Sequence, residues 1–320
     1  MGRFLLRRLI ITIPVMFLVT AISFFFINMA PGDPAMFMIN PEMAALLGPD
    51  WVAQQRAKMG LDQPIAIRYV RWLEQVLQGN LGYSMVDYRP VSKLLAERMV
   101  PTLELMGVAL TVGLLVAIPI GILSAVKQYS VLDYIVTILS FIAASLPVFF
   151  LGMFLIFIFA LSLGWLPTSG MVTTGQPPTF SDAIRHLILP GSVLAIYQIA
   201  PLVRYTRSGM LEVLGEDYVR TARAKGLRNG LVLRRHALRN ALIPLITVVA
   251  MHIPGFFGGT VITEQVFQWP GMGLLMVNSI AARDYPALMG MNVLVASLVV
   301  ACNLAADILY ALVDPRIRLS

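Results

Sequence analysis

Of 320 residues, 58% are hydrophobic and only 13% charged, and the mean hydropathy is +0.78. Soluble domains carry about 25% charged residues, so this composition excludes a water-soluble protein and describes one built into a bilayer. A single cysteine, Cys302, excludes an intrachain disulfide, and the net charge of +7 is concentrated in a few segments instead of forming a nucleic-acid footprint.

In chain order, Leu9–Ala30 is uncharged and slightly longer than the about 20 residues that cross a bilayer core as a helix. Arg3, Arg7 and Arg8 precede it as they would a signal peptide, but the apolar run exceeds the usual 7–15 residues and Pro31 follows, so an uncleaved first span is expected. Residues 31–100 then carry seven basic and seven acidic residues with turn formers at Pro31–Pro34, Pro49–Asp50 and Gly79–Asn80, the signature of a water-exposed insertion. Two short helices are expected in it, near Gln54–Met59 and Ile67–Leu77, with Ile67, Val70, Trp72, Leu73 and Leu77 only partly confined to one face. Further spans are predicted at about Thr102–Val126, Tyr134–Leu163, Leu187–Val203, Ala241–Ile262 and Ala287–Val313, giving six in all. Prolines 119, 147, 190, 201, 244 and 254 fall in or beside them and predict kinks, not breaks.

Charge gives the orientation. With the N-terminus inside, the cytoplasmic pieces hold 15 of the 24 Lys and Arg against five acids, net +10, whereas the outer pieces net −1. The positive-inside rule therefore puts both termini and residues 204–240 in the cytoplasm and residues 31–100 outside.

Residues 204–240 contain nine of the basic residues between two apolar spans. Asp217 can cap a short helix in which Tyr218, Thr221, Ala222 and Lys225 share one face, Arg220 and Arg223 lie opposite, and Gly226 suits a left-handed stop. The basic residues can serve as topology signals beside anionic headgroups. The small face of Thr221, Ala222 and Gly226 instead fits the close approach of another protein, and bulk at Ala222 or Gly226 is expected to weaken such docking.

Two acids fall inside spans, where ionisable groups are costly. Glu104, near the outer end of its span, is either interfacial or a lining group, and Asp307 suits pairing with a neighbour or a partner subunit. Pro254, Gly255, Gly258 and Gly259 mark a place where helices approach closely or a path runs, with His252 and Phe256 beside it. His186, His236 and His252 stand far apart and form no metal-ligand pattern. No phosphate-binding Gly-x-x-x-x-Gly-Lys-Ser/Thr, HExxH or GxSxG occurs, which disfavours a nucleotide site or an intramembrane enzyme in this chain.

The run EDYVRTARAKG at 216–226, followed by HALRNALIP, resembles the cytoplasmic loop of ATP-binding-cassette importer permeases of the dipeptide, oligopeptide and nickel branch. MAPGDPA at 29–35, GLDQP at 60–64, GNLGYS at 79–84, FQWPGMG at 267–273, RDYP at 283–286 and DPRIR at 314–318 look like further landmarks of that branch. The resemblance implies an all-α membrane protein with the type I importer permease fold, in a bacterial inner membrane. Its parts would be residues 1–30 (tail and first span), 31–100 (extracytoplasmic insertion), 101–313 (five-span core with coupling loop 204–240) and 314–320 (cytoplasmic tail). It also implies that Glu216, Asp217, Tyr218, Arg220, Thr221, Ala222, Arg223, Lys225 and Gly226 form a coupling helix seated on a cytoplasmic ATPase. Against the general EAA-x-x-x-G motif aligned on Gly226, Arg220 and Thr221 replace the Glu and first Ala, and only Ala222 matches. No cofactor is implied in this chain; ATP and Mg belong to two ATPase subunits, beside a second, homologous permease and a substrate-binding protein. The implied cargo is a dipeptide or short oligopeptide, with glutathione or nickel complexes as alternatives; the shortish loop 164–186 leans toward dipeptide or glutathione. A channel or ion-coupled carrier is the competing class, but repeated halves and midplane acids are not evident.

Overall fold

The computed structural model describes residues 2–29, 41–58 and 60–313; the side chains of 2–9, 41, 58, 236, 239, most of 243–259, 307 and 309–313 lie outside the described residues. Helices dominate throughout: α1 (Gly2–Met29), α2 (Pro41–Lys58), α3 (Ile65–Leu77), α4 (Val91–Val126), α5 (Val131–Ser145), α6 (Val148–Leu155, continued as a π-helix over Ile156–Ser162), α7 (Phe180–Leu214), α8 (Asp217–Ala224), α9 (Leu238–Phe267), α10 (Met272–Ala282) and α11 (Tyr285–Val313). Among the described residues, Ile10–Met29, Val91–Val126, Phe180–Leu214 and Tyr285–Ala306 are each long and apolar enough to cross a bilayer, and α5 with α6 makes a fifth, bent candidate. The span expected at 241–262 lies in α9.

The chain divides into two compact units. The first takes in Met1–Met99 with Leu275–Val300. Here α3 packs on α1 through Tyr69, Trp72, Leu73 and Ile65 against Phe24, Ala21 and Ile27, with Met289 completing the cluster. These positions stand at i, i+4, i+7 and i+8, one helical face. Of the apolar residues that were only partly confined to one face, Ile67, Val70 and Leu77 are exposed, and Tyr69, with its polar tip, is the residue the helix buries. Its hydroxyl meets Thr20 Oγ1 at 3.0 Å and donates to the Phe17 carbonyl, and its ring stands edge-on to Phe17 and Phe24. Beside it Arg68 donates to Asn28 Oδ1 at 2.6 Å. The α2 helix starts earlier than expected and is broken at Gly48, whose φ of +78° precedes Pro49.

Two of the motifs noted in the sequence meet in this unit. Asp284, at the start of α11, accepts hydrogen bonds from the backbone N–H groups of Ala287 and Met85 and from the Ser84 hydroxyl. Ser84 Oγ in turn accepts from Val86 N and Asp87 N. GNLGYS and RDYP are thus two halves of one buried polar lock, with Ser84 and Asp284 both 2% exposed.

The second unit takes in Val100–Leu274 and Ala301–Ser320. Its helices pack closely where glycine permits. A methyl at Gly121 of α4 would stand 2.6 Å from the Thr206 side chain of α7, and one at Gly209 of α7 would meet the Ala241 carbonyl of α9 at 3.1 Å. Three boundaries differ from expectation. The second span belongs to a helix that begins at Val91, eleven residues before Thr102, and runs through Pro101 and Pro119. The third is two helices bent by 102°, because Leu146, preceding Pro147, is forced to an extended ψ of 129° and the helix must restart. The fourth continues to Leu214, so the first third of the expected loop 204–240 is helix; Pro190 and Pro201 leave α7 continuous.

FQWPGMG, between α9 and α10, closes another buried network. Glu264 of α9 is fully buried, and its carboxylate accepts from Gly273 N at 2.6 Å, Leu274 N at 3.0 Å and Thr102 Oγ1 at 2.7 Å. Those amides belong to the first turn of α10, where helical N–H groups lack partners, so Glu264 caps a helix other than its own. Trp269 Nε1 donates to the Pro101 carbonyl at 2.9 Å. Glycine is obligatory at 271, where a Cβ would lie 2.5 Å from the Glu264 carboxylate, and at 273, where it would collide with the Val261 Cα.

Candidate functional site

The predicted coupling residues are gathered on one short element. Glu216 precedes α8 in an extended conformation and its side chain makes no capping bond, so Asp217 is the first helical residue and not the cap expected of it. Asp217 lies 3.4 Å from Arg220 in a pair whose side chains are 95% and 72% exposed, an arrangement that contributes little to stability. At the far end Gly226, φ +77°, stops the helix. Its N–H reaches the Arg223 carbonyl and that of Leu227 reaches the Ala222 carbonyl, the double bond of a Schellman stop.

Below α8 lies an apolar floor. Val219 and Ala222 are buried and pack on Val232, with Val213 and Leu214 of the α7 end beside them. Ala222 therefore does not belong to a free small face with Thr221 and Gly226, as the helical spacing had led us to expect. It is small because the returning chain passes directly beneath it. Tyr218 adds a tether, accepting a hydrogen bond from Asn240 Nδ2 at 3.0 Å. What α8 offers outward is Asp217, Arg220, Thr221, Arg223 and Lys225, all exposed, with Gly226 beside them in open space. The segment 229–237 that supplies the floor is a single helical turn followed by a π-helix over Val232–Ala237, a wider winding that often marks functional positions.

A polar brace stands behind this platform. Asp133, the N3 residue of α5, is 3% exposed and receives both Arg207 Nε and a terminal nitrogen of Arg207 at 2.8 Å, as well as Tyr129 N at 3.0 Å and the Ser124 hydroxyl. It joins the end of α4, the start of α5 and α7 through one carboxylate. In the sequence Asp133 and Arg207 are only two of the charges that set the orientation. The 74-residue separation hides the pair, and only the Ser-x-x-Asp capping pattern at Ser130 marks Asp133 locally.

Glu104 is exposed on α4, while the side chains of His252, Phe256 and Asp307 lie outside the described residues. A cavity of ≈ 250 Å³ does open between α4, α7 and α9, lined by Met106, Ala109, Leu194, Tyr197, Gln198, Gly255 and Thr260. Gly255 is thus the one member of the predicted glycine-rich stretch whose position against a cavity is described. His186 is buried against the Gly170 carbonyl and lies 3.6 Å from Asp182, which also binds Thr173 N and Oγ1; this network folds loop 164–179 onto the start of α7.

A family model described as "Binding-protein-dependent transport system inner membrane component" matches residues 117–319, which contain the whole of α8, its floor and the Asp133 brace. The chain belongs to this family. A second model, for the N-terminal part of such membrane components, matches residues 1–106 of the permease. Over 99% of its length the permease is 46% identical to the oligopeptide transport system permease protein AppB of Bacillus subtilis, all of which is covered. It is 39% identical to the dipeptide transport system permease protein DppB of Escherichia coli K12, with 99% of each chain covered. Its fold is that of a solved structure described as inward facing conformations of the MetNI methionine ABC transporter, at a TM-score of 0.55 and 19% identity over 70% of this chain and 97% of that one. The permease is therefore an all-α, type I importer membrane component, and its family is not an enzyme family.

Proposed function

We propose that the permease is one of two homologous membrane subunits of an ATP-driven importer of dipeptides or short oligopeptides, and that α8 is the element through which a cytoplasmic ATPase drives it. The observation that carries this reading is the construction of α8: an eight-residue helix with its underside sealed by Val219 and Ala222 and its polar side turned outward. A helix serving only to hold basic charge near headgroups needs no such floor, whereas one that transmits force must not sink into its own support. The peptide cargo rests on the relatives named for oligopeptides and dipeptides. ATP and Mg reside on the separate ATPase subunits, both termini and loop 204–240 are cytoplasmic, and residues 31–100 face outward as an insertion where a substrate-binding protein delivers cargo. Residues 101–313 form the core, and 314–320 a cytoplasmic tail.

The test is uptake of labelled dipeptides and tripeptides into vesicles containing the reconstituted permease pair, with binding protein present and with ATPase subunits added or omitted. Uptake should require both ATP and the ATPases, and unlabelled peptide should compete better than glutathione. Uptake by this chain alone without ATP would overturn the reading in favour of a carrier or channel.

A further inference from the structure

Away from α8 and from the cavity at Tyr197, a second opening runs between α5 and α7. It consists of two overlapping cavities, of ≈ 320 and ≈ 350 Å³, that share Val136, Ser140, Ala200 and Val203. One extends to Arg204, Arg207 and Ser208, the other to Leu146 and Ile196. Measured along α7, Ile196 to Ser208 is about 18 Å at the helical rise of about 1.5 Å per residue. That is close to the hydrocarbon depth of one leaflet, about 15 Å, half of a bilayer core of about 30 Å.

The stretch shared by the two cavities is apolar, since the hydroxyl of Ser140, its one polar side chain, is turned back onto the Val136 carbonyl at 2.8 Å. The charged part of the lining is confined to one end and is cationic. Arg207 is held by Asp133, but Arg204 is exposed and has no acidic partner among the described residues. No acid lines either cavity, so the charge the groove offers is cationic alone. We propose that the groove binds one anionic phospholipid, its phosphate on Arg204 and an acyl chain laid along Val136, Ala200 and Val203. By the orientation proposed above, the lipid belongs to the cytoplasmic leaflet, where anionic headgroups are attracted to basic residues.

The assembled importer, titrated with phosphatidylglycerol or phosphatidylcholine and examined by native mass spectrometry, tests the proposal. Wild type should retain one phosphatidylglycerol in preference to phosphatidylcholine. Arg204→Gln, a change at an exposed position that leaves packing intact, should lower that occupancy about fivefold, as expected for one basic residue near a headgroup. Ala200→Trp should block the groove and remove the bound lipid, and Arg228→Gln, on the loop outside it, should change nothing. Wild-type occupancy in Arg204→Gln, or equal retention of the two lipids, would overturn the assignment. So would a photoreactive residue at Phe141 that captures the second permease subunit and no lipid.

Discussion

Arg207 directs two of its nitrogens at the Asp133 carboxylate, and the same carboxylate also serves Ser124 and Tyr129. Asp133→Asn keeps the shape but leaves a guanidinium without its counter-charge. We predict a loss of about 2 kcal/mol, below the usual cost of breaking a fully buried pair because the Arg207 side chain keeps 28% exposure. Thermal unfolding of the purified permease in detergent measures it. Gly226→Ala meets no atom within 4 Å, so its only penalty is the left-handed backbone, about 1–2 kcal/mol. It should therefore fray the end of α8, seen as faster hydrogen exchange at Lys225–Leu227, while global unfolding stays unchanged. Single residues of this kind were the least legible part of the sequence. Asp133, Glu264 and Asp284 all read as charges just outside spans, the place where a carboxylate normally meets water, yet each is at most 3% exposed. Burial is offset in each case by a partner distant in the chain: the Arg207 guanidinium for Asp133, Thr102 beside the α10 amides for Glu264, and Ser84 with the Met85 amide for Asp284.

At the scale of elements, the existence of α8, its stop at Gly226 and the long apolar helices were legible, because 3.6-residue periodicity, a left-handed glycine and uncharged runs are local signals. Which face of α8 points outward was not. Val219 lies a residue away from the face first chosen, and its burial depends on Val232, on the far side of the stop. The two faces make opposite predictions. Val219→Asp should place a charge in the apolar floor, cost about 2 kcal/mol or more, and render residues 215–232 protease-sensitive in the isolated permease. Arg220→Glu combined with Arg223→Glu should leave the isolated permease intact by the same assay but lower the yield of co-purified ATPase severalfold. If the double variant keeps a wild-type yield, the outward edge of α8 is not the docking surface. The break between α5 and α6 illustrates another limit of local reading. Pro190 and Pro201 sit inside a continuous α7, whereas Pro147 ends α5, so the presence of proline alone did not distinguish a helix that persists from one that restarts.

For the whole molecule, orientation is the property from which the others follow, and it rests on the asymmetric placement of Lys and Arg. With Cys302 replaced by Ala, a single cysteine introduced at Lys93 should react with a membrane-impermeant maleimide from the periplasmic side of spheroplasts. One introduced at Lys225 should react only in inverted vesicles; the reverse pattern would turn the importer around. The length of α7 carries a mechanical consequence. Tyr197 and Gln198 of this helix line the cavity of ≈ 250 Å³, while Val213 and Leu214 at its end support α8. The two stations are separated by about 24 Å of helix. Because α7 is unbroken between them, a tilt of ~5° pivoting at the cavity would sweep the α8 end through about 2 Å at that arm length. A displacement imposed on α8 would therefore reach Tyr197 and Gln198 as a rotation of about that angle and not as a shift of similar size.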